Sequence, residues 1–232
     1  MKTILGKPSF LVVPSMRKTL KKVLANYDNS AQFYDMLNSL YFFGRDKIFR
    51  SMLAKKTNLK SGDLVLDLCC GTGLDFPFVL EKIGRQGMLL GLDVSSNMLL
   101  QSKDRRLEGN VNLIRSDAAY LPFRDNSLNV YLASFCLKIT PALEFVVNEA
   151  ARVLKYDGRI GVLTNSRPTF RLRIIGNVIT WLISLFSLVD FEIDLDCYLS
   201  ERFEVLLDKK MHMGFVQLLI GKIKKLTILN KI

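Results

Sequence analysis

One stretch limits what this chain can become: Val65 to Gly73, V-L-D-L-C-C-G-T-G. Leu64, Val65, Leu66 and Leu68 are apolar and partly β-branched, which predicts a strand buried on both faces of a parallel sheet. Cys69, Cys70, Gly71, Thr72 and Gly73 make a turn of small residues, and Phe76, Val79, Leu80 and Ile83 then recur at helical spacing. Strand, glycine turn and helix, in that order, let a backbone approach a nucleotide-like ligand closely. Gly71 and Gly73 suit this because a Cβ would hold the ligand off or forbid the backbone angles. A dinucleotide fingerprint needs a third glycine where Phe76 stands, which weakens that reading. A phosphate loop needs Gly-Lys followed by Ser or Thr, and that is absent. On this stretch alone, an ordinary βα turn of another α/β protein stays open.

A chain of 232 residues, 49% of them hydrophobic, is long enough for one α/β domain with a sizeable core. The net charge of +11 favours a polyanion, either nucleic acid or an anionic membrane face, unless it is simply a lysine-rich surface. The four cysteines (Cys69, Cys70, Cys136, Cys197) contain no C-x-x-C pair and His212 is the one histidine, so no metal site is expected. A reduced, cytoplasmic setting fits best. Lys7 and Pro8 interrupt any apolar run near Met1, so no secretory signal is expected.

The second informative position is Asp93, which ends the predicted strand Met88 to Val94 and lies 20 residues after Gly73. A carboxylate at the end of the neighbouring strand can accept two ribose hydroxyls at once. Ser95 or Ser96 then caps a helix containing Met98. Val111 to Arg115 is a third predicted strand, followed by Ser116, Asp117 and Ala118; Asn129 to Leu137 is a fourth, with Ser134 near its end. Pro141 to Leu154 reads as a helix with Leu143, Val146, Val147, Ala150, Ala151, Val153 and Leu154 inward. A tight turn at Asp157-Gly158 and a fifth strand come next.

Taken together these elements resemble the class I S-adenosylmethionine (SAM) dependent methyltransferases. Asp67 with Gly71 and Gly73 matches their motif I, in which the first glycine is often replaced; here that position is Cys69. L-P-F-R-D-N-S-L (Leu121 to Leu128) and E-A-A-R-V-L-K-Y-D-G (Glu149 to Gly158) are similar to two further elements, with Tyr156-Asp157 where Pro-Gly is usual. N-Y-D-N-S-A-Q-F-Y-D (Asn26 to Asp35) resembles the opening of the ubiquinone/menaquinone C-methyltransferase-like group, whose aromatic helix covers the cofactor. The resemblance covers roughly residues 26–165. It implies a Rossmann-like, doubly wound, mostly parallel seven-stranded sheet with an antiparallel C-terminal strand and helices on both faces. It implies SAM as cofactor, held by Asp67, Cys69, Gly71, Thr72, Gly73, Phe76, Asp93, Val94, Met98, Asp117, Ala118 and Ser134. Asp93 would take the ribose, Asp117 and Ala118 the adenine, and Ser134 would lie beside the methionine part. Tyr27, Phe33 and Tyr34 are the lid candidates, with core packing as the plainer alternative.

The expected organisation is a helical cap over 1–58, a SAM-binding core over 59–165, and an apolar helix with closing strands over 166–232. Met16, Leu20, Val23 and Leu24, interleaved with Arg17, Lys18, Lys21 and Lys22, predict a basic amphipathic helix that lies on an anionic membrane or docks on the domain. Ile174 to Val189 carries no charge over sixteen residues, short of the ~20 a spanning helix needs. A buried layer helix, an interfacial helix and a span all stay open there. Glu204 to Lys210 and Met213 to Ile223 read as closing strands.

The segment at the end of the fourth strand bears on the acceptor. It reads S-F-C-L-K-I, with no N-P-P-Y tetrapeptide, which argues against methylation of nucleic-acid amino groups. Cys136 lacks a preceding proline for cytosine chemistry, and Phe135, Leu137 and Ile139 favour an apolar or aromatic acceptor. The expectation is methyl transfer to a lipophilic small molecule, a quinone precursor or a lipid head group, by an enzyme at or near a membrane surface. A polar acceptor in solution, or a SAM-fold partner subunit without turnover, are the alternatives. His212 is a candidate base or a structural residue, and no catalytic residue or oligomeric state is assigned.

Overall fold

The computed structural model describes residues 14–105, 109–166 and 190–224. The apolar stretch 174–189 lies outside them. One 7-stranded sheet contains β1 (Leu64–Leu68), β2 (Met88–Asp93), β3 (Val111–Arg115), β4 (Leu128–Ser134), β5 (Leu154–Asn165), β6 (Phe203–Met211) and β7 (Val216–Ile223). Their order is β3-β2-β1-β4-β5-β7-β6. β1 to β5 are parallel, and β7 runs antiparallel between β5 and β6. This is the expected doubly wound sheet. β1 sits between β2 and β4, so the strand order reverses there, and a crevice opens beyond the strands' carboxyl ends.

Among the described residues the α-helices are α1 (Pro14–Ser30), α2 (Tyr34–Tyr41), α3 (Asp46–Lys56), α4 (Phe76–Ile83), α5 (Ser96–Ser102), α6 (Leu143–Val153) and α7 (Leu195–Arg202). Side chains alternate across the sheet, and that alternation places the site. Leu66 and Leu68 of β1 join Val146, Val147 and Ala150 of α6 on one face. Val65 joins Phe49 and Leu53 of α3 and Phe76 and Val79 of α4 on the other. Asp67, two residues after Val65, therefore faces α3 and α4. No helix of the described residues is long and apolar enough to cross a membrane.

Several boundaries differ from the sequence expectation. α1 runs unbroken to Ser30, so Asn26 and Tyr27 belong to the basic helix rather than to a second one. α2 and α3 are separated near Gly44, and within the expected cap α3 packs on β5 and α4 as a layer of the sheet, not over the crevice. β4 stops at Ser134 because Phe135 turns to a positive φ of 59°, which no strand can continue. The turn at Asp157-Gly158 is a bulge inside β5: Leu128 pairs with Leu154, but Val130 pairs with Arg159.

Candidate functional site

A cavity with an empty volume of about 730 Å³, including open solvent at its mouth, lies at the switch point under α1 and α2. Of the predicted site residues, Cys69, Gly71, Asp93, Val94, Met98, Asp117, Ala118 and Ser134 line it. Asp93 is the centre of its floor. One carboxylate oxygen accepts the N–H of Gly71 and the other accepts the N–H of Ser95, each at 2.9 Å. An ionised carboxylate has about four lone-pair sites, so further donors can still be accepted. Burial pushes the Asp93 carboxyl up, against the stabilising N–H groups of Ser95, Gly71 and Val94. Ser95 is the N-cap of α5, its hydroxyl accepting the N–H of Met98 at 3.1 Å. Asp117 shapes its own loop by accepting the N–H of Ala119 at 2.9 Å.

Asp67, Thr72, Gly73 and Phe76 are placed elsewhere. Phe76 is fully buried, and its ring fills the space that the third glycine of a dinucleotide turn would leave. A Cβ on Gly73 would meet that ring at 2.7 Å, and a Cβ on Gly91 of β2 would meet it at 2.8 Å. Phe76 is thus a core wedge between two glycines and does not line the cavity. Gly71 differs from Gly73: both have positive φ, but the nearest atom to a Cβ on Gly71 is 3.9 Å away. Gly71 keeps space open for a ligand; Gly73 keeps space open for the core.

Asp67 is fully buried beneath the turn, and neither of its carboxylate oxygens has a hydrogen-bond partner among the described residues. Burial and the nearby Asp75 charge push its carboxyl up, while Arg50 pulls it down. Arg50, from α3, donates to Asp75 at 2.6 Å, with both side chains 4% exposed. Sequence reading missed Arg50, since nothing local marks it among many cations.

The roof is formed by Val23 and Tyr27 of α1 and Tyr34 of α2, all of which line the cavity. Tyr27 and Tyr34 lie ring to ring at 6.1 Å, and burial raises both phenols, Tyr34 up to about 12. Phe33, the third lid candidate, faces solvent. Two carboxylates tie the roof down. Asp28 accepts from the hydroxyl of Ser95 and, at 3.4 Å, from the N–H of Asn97. Asp35 accepts from the Thr72 hydroxyl at 2.6 Å and pairs with Arg105. Thr72 thus holds the roof instead of lining the cavity. Both carboxylates follow a roof tyrosine, in Tyr27-Asp28 and Tyr34-Asp35, but nothing local marks their distant partners.

The remaining wall comes after β4. Phe135, Cys136, Ile139, Thr140 and Pro141 line it, whereas Leu137 is buried in the core. Phe135 holds its left-handed backbone by donating its N–H to Leu163 at 2.7 Å, with its ring against Phe42 and Arg50. The neighbouring Cys136 thiol, which itself donates to the Leu68 carbonyl at 3.6 Å, raises the Cys69 thiol, and burial raises it further. His212 is not in the cavity; it packs among Phe43, Phe49 and Phe215. Burial and then the Arg45 charge lower its pKa.

The architecture is that of SAM-dependent methyltransferases. A SAM-dependent methyltransferase from Aquifex aeolicus superposes with a TM-score of 0.62 at 18% identity, covering 85% of this chain and 98% of that one. The cyclase SpnF superposes with a TM-score of 0.61 at 18% identity, covering 76% and 80%. The model of the ubiE/COQ5 methyltransferase family matches residues 15–181, and the chain belongs to that family. A demethylmenaquinone methyltransferase of Lactobacillus johnsonii is 38% identical over 144 residues, 60% of this chain and 59% of that protein. The chain spans about three-fifths of the length of such curated relatives.

Proposed function

We propose that this protein transfers the methyl group of SAM to a ring carbon of a lipophilic quinol at a membrane surface. One observation carries the reading: a single cavity joins an acidic floor, suited to a nucleoside, to an apolar wall. The floor fits SAM. Asp93 has lone pairs left for the ribose hydroxyls, and Asp117 and the Ala118 backbone suit the adenine. The Ser134 hydroxyl, buried at the cavity wall with no hydrogen-bond partner among the described residues, suits the methionine part. When bound, SAM supplies a methyl group on a sulfonium, already activated for displacement. The chain's own residues then position and exclude water: Tyr27 and Tyr34 close the roof as neutral phenols, and Phe135 and Ile139 offer apolar surface to a ring. The fold is shared with a cyclase, so the reaction rests on the site and on the relatives named demethylmenaquinone methyltransferase.

The test is incubation of the purified protein with methyl-labelled SAM and demethylmenaquinol in detergent micelles. Label on the quinol ring is expected. Label on a water-soluble catechol but never on the quinol would overturn the lipophilic acceptor.

A further inference from the structure

α2 has two unlike faces. Inward, Tyr34 lines the cavity and Asn38 is buried. Outward, Phe33, Met36, Leu37 and Leu40 recur at the spacing of one helical stripe, and they are 58%, 63%, 49% and 73% exposed. Phe43, 78% exposed, continues the stripe in the turn, and Met36, Leu40 and Phe43 line one shallow groove open to solvent. A single exposed Leu means little, but an apolar stripe along a whole helix marks an interaction surface.

Charge identifies the partner. Among residues 21–58 the charged residues freely open to solvent are the cations Lys21, Lys22, Arg45, Lys47, Lys55 and Lys56. The three carboxylates of that segment are engaged or buried, and Asp35, whose side chain is 40% exposed, is paired with Arg105. Asp28 and Asp35 are the roof ties, and Asp46 is buried. Two such faces meeting in a dimer would set cation against cation. An apolar stripe with flanking cations is complementary to an anionic bilayer surface.

We infer that the outer face of α2 with Phe43 is the surface on which this protein docks to an anionic lipid bilayer. The apolar stripe enters the acyl boundary, and Arg45 and Lys47 rest on lipid phosphates. This deepens the reading of a lipophilic acceptor and rests on it for its purpose. One helix separates bilayer from cavity, so an acceptor leaving the membrane meets the site beneath α2.

The test is flotation of the full chain with phosphatidylcholine vesicles, with and without phosphatidylglycerol, without SAM or acceptor. Binding is expected only with phosphatidylglycerol, and it should fall as salt rises. The double variant Leu40→Asp, Phe43→Asp should lose about tenfold or more in partitioning, and Lys47→Glu about fivefold. Circular dichroism and thermal unfolding of each variant should match the parent, because these side chains are exposed. Folded variants that bind vesicles as the parent does would overturn the inference. So would a stable dimer in sedimentation equilibrium that Phe43→Asp splits, together with no vesicle binding. A protein that docks through this face yet never labels a quinol refutes the acceptor reading and leaves the docking surface standing.

Discussion

The floor and the roof of the cavity are held in place by opposite means. The floor is backbone: Gly71 and Ser95 donate N–H groups to Asp93, Gly73 is fitted over Phe76, and the strand ends are fixed by the sheet. The roof is side chain: α1 and α2 reach the floor through Asp28 and Asp35. Beneath the floor, the Arg50–Asp75 pair is almost wholly buried, while the Arg105–Asp35 pair of the roof is 29% and 40% exposed. A buried pair cannot lose one partner without stranding a charge in low dielectric, whereas an exposed pair breaks at little cost. The floor is therefore the costlier of the two to distort, and the roof the cheaper. An enclosed cofactor requires that division, because it must enter and leave.

The largest break in this comparison should come from Arg50→Met. It strands Asp75 and Asp67 beneath the floor and should cost about 3–5 kcal/mol in urea unfolding. Gly73→Ala comes next, at about 2–4 kcal/mol, from a left-handed backbone plus a clash with the buried Phe76 ring. Gly71→Ala should cost only the backbone share, about 1–2 kcal/mol, and its main loss should be in cofactor affinity. Equal stability of the two alanine variants would erase the distinction between a ligand glycine and a core glycine. Asp28→Ala and Asp35→Ala should each cost about 1 kcal/mol or less. Hydrogen exchange should quicken across 21–41 in both, with β1 and β2 unchanged.

The mildest effect is that of pH on the apo protein. Asp67 and Asp93 have folded pKa values raised above the ordinary carboxylate value. Their favourable contribution is thus complete below that ordinary value and is lost as pH rises through the folded ones. The melting temperature of the apo protein should carry a component that falls as pH climbs from about 4 toward neutrality. Asp67→Asn should flatten it.

Much of the floor was legible because its signals are local. A strand, a small-residue turn and a helix lie within Leu64 to Ile83, and Asp93 and Asp117 come at or just after the ends of strands of their own. The core packing of Phe76 was not legible because its partner Gly91 comes from the neighbouring strand, which only the sheet's register brings opposite. Arg50 was invisible for a similar reason: it meets Asp75 only when α3 packs beside α4. The roof ties join residues 37 and 67 positions apart, beyond any local pattern. The positive φ of Phe135, which ends β4 early and aims the ring, is set by the Leu163 hydrogen bond and not by residue type.

The most direct measurement is calorimetric titration of SAM and S-adenosylhomocysteine into the intact protein and into an Asp93→Ala variant of equal melting temperature. Saturable binding to the parent is expected, weakened about a hundredfold in the variant through loss of charge-assisted hydrogen bonds to the ribose. A folded parent that binds neither ligand, or a variant that binds both as tightly as the parent, would contradict the assignment of this cavity to SAM.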